Sequence, residues 1–314
     1  MPEVVAESSK SHSRVRKERQ RFLPLGSGPE ESRALPWEGS WWLPAPGGWP
    51  TFLWLILIHV TALAGLILVP WPGSYVFLGA LVLAWLGGIG TTVCYHRAIA
   101  HRSLRLHAAA HQVLTFFAML NGSGAPLGWA ASHRHHHANA DTSRDVSSPK
   151  LGGFWWSHLR WLWQSDPVPA SHYCRDLSGL SYRFWDRAQP AVLALSYFGG
   201  LIFGWPGFFW LGAIRLVYAL HAQCCINSIC HLGKASALSA DSSKNVLWLG
   251  FWHLFQGENW HGNHHARPGS AKLGSKRWQI DTGWWTILVL KGLRLASNVR
   301  RQEVPQAPGS GVGR

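Results

Sequence analysis

Two uncharged stretches stand almost back to back in this chain. "TFLWLILIHVTALAGLILVP" (51–70) and "SYVFLGALVLAWLGGIGTTV" (74–93) contain no Asp, Glu, Lys or Arg, and only Trp71, Pro72 and Gly73 separate them. At ~1.5 Å per residue, each can cross a hydrocarbon layer of ~30 Å. A segment in lipid must satisfy its own backbone hydrogen bonds, which makes both spans helices. The Pro-Gly pair between them turns the chain, so they form a hairpin. A second pair follows at 191–211 and 213–231, the latter flanked by Arg215 at one end and polar residues at the other. The expected fold is therefore an all-α integral membrane protein, with four transmembrane helices in two hairpins.

Charge orients the hairpins. The formal net charge is +14, yet the link between the first two spans has no basic residue and Arg215 is the only one near the second turn. Nearly all Lys and Arg fall in the N-terminal arm, the 94–190 region and the chain after 231, which the positive-inside rule puts in the cytoplasm with both termini. Residues 1–50, with the run "KSHSRVRKERQR", read as a basic, flexible cytoplasmic arm. Residues 51–300 read as the membrane-embedded domain, and 301–314 as a disordered tail. Residues 1–40 hold no apolar core like that of a cleavable signal. No nucleic-acid recognition module accompanies the positive charge, so membrane lipid and an acidic protein are the expected partners. The five cysteines form no C-x-x-C pair and read as buried thiols.

The chain has 18 histidines, and half of them fall into a pattern. "YHRAIAHRS" carries His96 and His101, just past the second span. "HRHHH" carries His133, His136 and His137, and "WHGNHHA" carries His261, His264 and His265, both spaced H-x-x-H-H. "NSICHLG" adds Asn227 and His231 as i and i+4. Residues i, i+3 and i+4 share a helix face, so each H-x-x-H-H can aim three imidazoles at one region. His96 and His101 are i and i+5, about 140° apart on an α-helix, which suits two neighbouring ions better than one. Nine imidazoles are too many for one ion and about right for two, and imidazole suits zinc, copper, iron and nickel. On the second box His135 lies opposite the other three and should point away. His59, His107, His111, His158, His172, His221 and His253 stand outside the pattern and read as ordinary core or surface residues. The boxes can converge only from one side of the membrane. The apolar stretch 107–129, interrupted by "NGSG" and Pro126, must then lie in the interface or re-enter, and 246–256 is too short to cross.

These motifs resemble the membrane-bound fatty-acid desaturases of the stearoyl-CoA-desaturase-like, Δ9 type. The likeness runs from about His96 to "WQIDTGWW" (278–285). It includes "HRAIAHRS", "GAPLGWAASHRHHHANADTSRD", the connector "GFWWSHLRWLW", "NSICHLG" and "GENWHGNHHA". Asn259 and Gly262 depart from the residues common there, Gly and Asn respectively, and leave the histidines intact. The resemblance implies two iron ions bound by His96, His101, His133, His136, His137, His231, His261, His264 and His265, with Asn227 reaching one iron through water, all held in a cytoplasmic helical cap. It implies O2 as co-substrate, a long-chain acyl-CoA or acyl lipid as substrate, and removal of two hydrogens from adjacent methylenes to give a cis double bond at Δ9.

Such C–H bonds need an oxidant made from O2 at a redox metal. With no His-Pro-Gly-Gly haem motif in the chain, electrons are expected from a separate cytochrome b5-type protein or a ferredoxin with its reductase. Asp141, Asp145 and Glu258 flank the boxes and are candidates to orient ligand imidazoles, with helix capping the simpler role for the two aspartates. Trp129 and Trp260, and with them Trp155, Trp156, Trp161, Trp163 and Trp252, could line an acyl tunnel or sit at the membrane interface. Arg134, Arg160, Arg175 and Arg187 could meet a phosphate. A sister membrane di-iron hydroxylase or ketolase shares the first hydrogen abstraction and is separated only by product. A non-enzymatic metal carrier would place polar residues midway along the spans, where only His59 and His221 occur.

Overall fold

The computed structural model describes residues 35–235 and 239–301. The basic run of the arm and the tail after 301 lie outside the described residues. Helix α1 is Trp49–Leu68. Helix α2 is Ser74–Ile89 and continues as a π-helix over Gly90–Ala100. Helix α3 (Ala108–Leu120) and helix α4 (Pro126–Asn139) follow. Helix α5 is Pro149–Trp155, prolonged by the π-turn Trp156–Arg160 and by Trp161–Gln164. Helix α6 is Leu180–Phe198. Helix α7, Arg215–Ile229, is entered through Gly204–Gly207 and the π-helical Phe208–Ile214. Helices α8 (His261–Ala266) and α9 (Thr282–Gly292) complete the helical part. Strands β1 (Arg105–Leu106) and β2 (Ala296–Ser297) pair antiparallel and clip the end of box one to the C-terminal segment.

Among the described residues, three helical runs are long and apolar enough to cross a membrane: Trp49–Leu68, Ser74–Ala100 and the 50-residue Leu180–Ile229. Helix α1 turns Leu53, Leu57, Val60 and Leu63 outward, a surface that water would penalise and hydrocarbon accepts. The third run is not straight. The chain bends through the 3-10 turn Gly199–Phe203 into Gly204, whose φ of +70° is a region that glycine occupies freely. Beyond the bend Gly200 and Gly207 meet backbone to backbone: a Cβ on either would lie 2.1 Å from the other's carbonyl oxygen. Limbs of 191–211 and 213–231 were expected. The turn lies instead at 199–204, because the glycines of "GGLIFGWPG" permit both the bend and the close approach.

The ambiguous 107–129 stretch breaks in two. Helix α3 has 13 residues, ~20 Å at helical rise, too short to cross. Its last carbonyl, Leu120 O, accepts hydrogen bonds from Ser196 Oγ (2.6 Å) and from the Arg215 guanidinium (3.1 Å). A cation at a helix C-terminus answers its dipole and its unpaired carbonyls. Against α2 and α3 sits the main core, including Val93, Tyr95, Ala118, Met119, Ala130 and Ile287.

Residues 35–48, the described part of the arm, are tied down on α5. Arg160 donates to Trp37 O and Gly39 O, Gln164 to Ser40 O and Leu43 O, and Trp163 to Trp41 O. Arg160 is thereby committed to backbone. Arg134 is likewise held by Asp176 and by the carbonyls of Ile99, Ala100 and Tyr173. Within the helices His59, His221 and His158 form a hydrogen-bonded chain that ends on Ser228 and links α1, α7 and α5.

Candidate metal centre

The sequence places box one on a stretch where helix geometry changes. Over Gly90–Ala100 the backbone bonds i→i+5, and His101 N–H reaches His96 O at 3.1 Å. A π-turn sets residue i+5 above residue i, so the His96 and His101 rings lie 5.0 Å apart on one side. Box one therefore serves a single group. The expectation of two neighbouring ions assumed 3.6 residues per turn, and the local helix is not α.

The histidines converge as two groups. His96, His101, His133, His137 and His264 offer ring nitrogens within 4.8 Å of one another, and His136, His231, His261 and His265 do the same. Each H-x-x-H-H divides between them. In box two His133 and His137 join the first group and His136 the second. In box three His264 joins the first, and His261 and His265 the second. The groups are neighbours, with His137 and His265 stacked at 4.3 Å. His135 belongs to neither: its ring nitrogens face Tyr173 Oη and Arg144 O, both at 2.8 Å. Asn227 donates through Nδ2 to Ser147 O and Ser157 O, which fixes its amide beside α5.

Carboxylates hold the backs of four rings. The Nδ1 atoms of His96, His136, His231 and His265 lie 2.9, 2.9, 3.0 and 2.8 Å from Glu258, Asp145, Asp141 and Asp241. Asp141 lies two residues past the end of α4, at φ +56°. It accepts from the His231 ring and also from Ser148 and Ser242, so it does more than cap a helix. Glu258 also accepts from Thr92 Oγ1. Asp241 and Thr92 were missed from sequence. Asp241 lies in a Ser-rich loop 24 residues before its histidine, where no periodicity marks it. Trp129 stacks on His133 at 4.9 Å, while Trp260 is buried with its indole N–H on Ile280 O.

This arrangement fits metal cations. An ionised carboxylate only accepts, so each facing Nδ1 carries the proton and leaves a lone pair on Nε2. His136 and His231 then present two such lone pairs 3.1 Å apart, which repel unless a cation lies between them. The Nε2 of His265 is buried with no hydrogen-bond partner. The Nε2 contacts of 2.7–3.1 Å across both groups match the ~3 Å separation of adjacent ligands on an ion with bonds of ~2.1 Å. Burial, reinforced by neighbouring imidazoles, pushes His101, His133, His137, His261 and His264 below the usual imidazole value. That is the neutral, metal-binding form. His136 moves up: burial opposes its charge, but Asp145, with Asp141 and Asp241 behind it, outweighs burial. Burial would raise Glu258, yet His96, Arg97 and Thr92 hold it at about 2, so it is an anion at neutral pH.

Comparison with known proteins agrees with this geometry. The sequence model of the fatty acid desaturase family matches residues 72–278. The chain is 34% identical to Delta-9 acyl-lipid desaturase 1 of Arabidopsis thaliana over 256 residues, 78% of this chain and 81% of that one. It is 36% identical to an acyl-CoA 5-desaturase of Anemone leveillei over 256 residues (77% and 76%). It is 34% identical to the sn-1 stearoyl-lipid 9-desaturase of Anabaena variabilis over 269 residues (82% and 96%). With a matched region covering both histidine groups and relatives aligned over most of their length, the chain belongs to the fatty acid desaturase family.

Proposed function

We propose that this protein inserts a cis double bond, at Δ9, into a long saturated acyl chain carried by a membrane lipid or by CoA. The reading rests on one observation: nine imidazoles meet as two adjoining groups of five and four, a donor set for two ions of an imidazole-binding metal. Two irons fit it, with O2 as co-substrate and two electrons from a separate cytochrome b5-type or ferredoxin donor. Bound there, they supply an oxidant able to take hydrogen from unactivated methylenes while O2 is reduced to water.

The chain's own residues hold and shield that chemistry. Glu258, Asp145, Asp141 and Asp241 fix the tautomer and angle of four rings, so that Nε2 faces inward on each. Asn227, clamped by Ser147 and Ser157, is suited to position a water beside the second group. His96, His136, His231, His261 and His264 are buried, which keeps bulk water from the reacting centre. The fold-back at Gly204 makes the third apolar run two limbs. With α1 and α2 this supports a reading of four crossings in two hairpins, and the charge asymmetry supports both termini and both histidine groups on the cytoplasmic side.

Expression in a desaturase-deficient host, with chromatographic mapping of double bonds, tests the reading. An O2-dependent cis-monoene is expected. A dominant hydroxy-acyl product would reassign the protein as a hydroxylase, and zinc-supported activity without O2 would overturn both.

A further inference from the structure

Between α2 and α7 lies a cavity of about 40 Å³ whose walls include Gly88, Thr92, Tyr218, Ala222, Trp252 and Glu258. Its inner wall is the carboxylate that holds His96, so the cavity ends one side chain from the five-histidine group. Its outer wall is a pair of aromatic rings. Tyr218 and Trp252 lie 5.2 Å apart, and Tyr218 Oη donates to the Trp252 carbonyl. Trp252 lines the cavity and is also 40% exposed, which makes it the lip. The turn that carries it, 247–253, built around the helical residues Leu249–Trp252, leaves large apolar side chains uncovered: Phe251 is 70% exposed, Trp248 56% and Leu247 62%. In a chain with membrane-spanning helices, such a cluster belongs against hydrocarbon.

Behind the turn the backbone is strained. Leu254 and Phe255, consecutive and neither glycine, sit at φ +48° and +58°, a region that costs ~1 kcal/mol or more per residue. The surroundings impose it: Phe255 N–H bonds Gly250 O, and Phe255 O accepts from Thr282 N–H. Strain that neighbouring contacts hold in place is stored energy for movement. At ~10–15 Å³ for one water, the cavity has room for a few waters but not for an acyl chain.

We propose that a saturated acyl tail reaches the site sideways from the bilayer. Its portal lies between α2 and α7, its lid is the turn 247–253, its latch is Tyr218 on the Trp252 carbonyl, and its hinge is Leu254–Phe255. The proposal rests on the acyl-desaturase reading. Of the tryptophans that could line an acyl tunnel, Trp252 borders this cavity.

The test reads the lid without turnover. In a chain whose five cysteines are replaced by alanine, Ala222→Cys puts a thiol on the cavity wall. The full-length protein, in phosphatidylcholine nanodiscs, is exposed to an N-alkyl maleimide that partitions into the bilayer. Labelling should be slow with the lid intact. It should quicken roughly three- to tenfold with Tyr218→Phe, the effect of one hydrogen bond on an opening equilibrium, and further with Trp252→Ala. Equal rates in all three, or parent labelling as fast as at Leu63→Cys on the lipid-facing side of α1, would overturn the portal. Should the cysteine-free chain not fold, Tyr218→Phe in the native chain should change KM for a stearoyl substrate severalfold with kcat within about twofold, and an unchanged KM counts against the latch. A wild type that makes the monoene while its lid variants behave alike disproves the portal alone. A wild type that makes no alkene disproves the functional reading, whatever the labelling.

Discussion

The two histidine groups differ in what stands behind them. In the four-histidine group, three rings are backed by carboxylates: His136 by Asp145, His231 by Asp141 and His265 by Asp241. In the five-histidine group, among the described residues, only His96 has one, Glu258. His133 is held by stacking on Trp129, and the Nδ1 of His264 is buried without a partner. A carboxylate behind an imidazole fixes its tautomer and raises its basicity. The smaller group thus offsets fewer ligands with stronger ones, and the larger group relies on number. Similar sequence boxes, each split between the groups, serve two electrostatically distinct places.

The sharpest way to break this comparison is to remove ligands from box two one at a time. His133→Ala, His136→Ala and His137→Ala should each reduce turnover to background, because each deletes an inward-facing imidazole. They should not lose the same ion. His133→Ala and His137→Ala should empty the five-histidine group, and His136→Ala the other. With 57Fe and Mössbauer spectra, two signals should be visible in the parent, and the first two variants should lose one and the third the other. Loss of the same signal in all three would mean that the division between groups is wrong.

That division shows where sequence reading stops. The H-x-x-H-H spacing was enough to identify the face of each box that turns toward the other boxes, since i, i+3 and i+4 adjacency is a property of any helix. It could not say that His136 and His137, neighbours in the chain, face different groups, because that depends on how α4 meets α7 and α8. Box one misled for a local reason: its helix bonds i→i+5, and angles computed for an α-helix do not apply. Asp141, Asp145 and Glu258 stood close enough to a box to be noticed. Asp241 did not, because its partner His265 is brought to it by tertiary packing. The break between α1 and α2 was legible from an uncharged run interrupted by Pro-Gly. The second turn was misplaced because apolar composition runs straight through it and only glycine placement marks it.

A smaller effect comes from the carboxylates. Asp241→Asn is the cleanest choice, since Asp241 is only partly buried and its carboxylate accepts from the His265 ring and from Ser243 N–H. Removing the charge behind a ligand imidazole typically costs about 10- to 100-fold in metal affinity. Iron in the four-histidine group should leave to a chelator that much more readily, with the other ion unaffected. Glu258→Gln should do the reverse, by weakening the group that has no second carboxylate. If both variants released the same ion, the contrast in backing would have no energetic content.

The smallest effect is expected at His135, which sits between two ligands in sequence. Its Nε2 faces the Arg144 carbonyl, an acceptor only, so that nitrogen carries the proton and Nδ1 is left to accept from Tyr173 Oη. Both ring nitrogens are thus satisfied by protein, on the side of α4 away from the ligands. His135→Ala removes two partly exposed hydrogen bonds, each worth ~1 kcal/mol. For a chain of this length that is a fall of a few degrees in Tm, read by thermal denaturation in detergent. Both iron signals and most of the turnover should remain. The Arg144 carbonyl is at the surface and can turn to water, so no buried group is stranded. If His135→Ala instead lost an ion as completely as His136→Ala, four histidines of this box would have to be ligands, and the helix-face assignment of box two would fail.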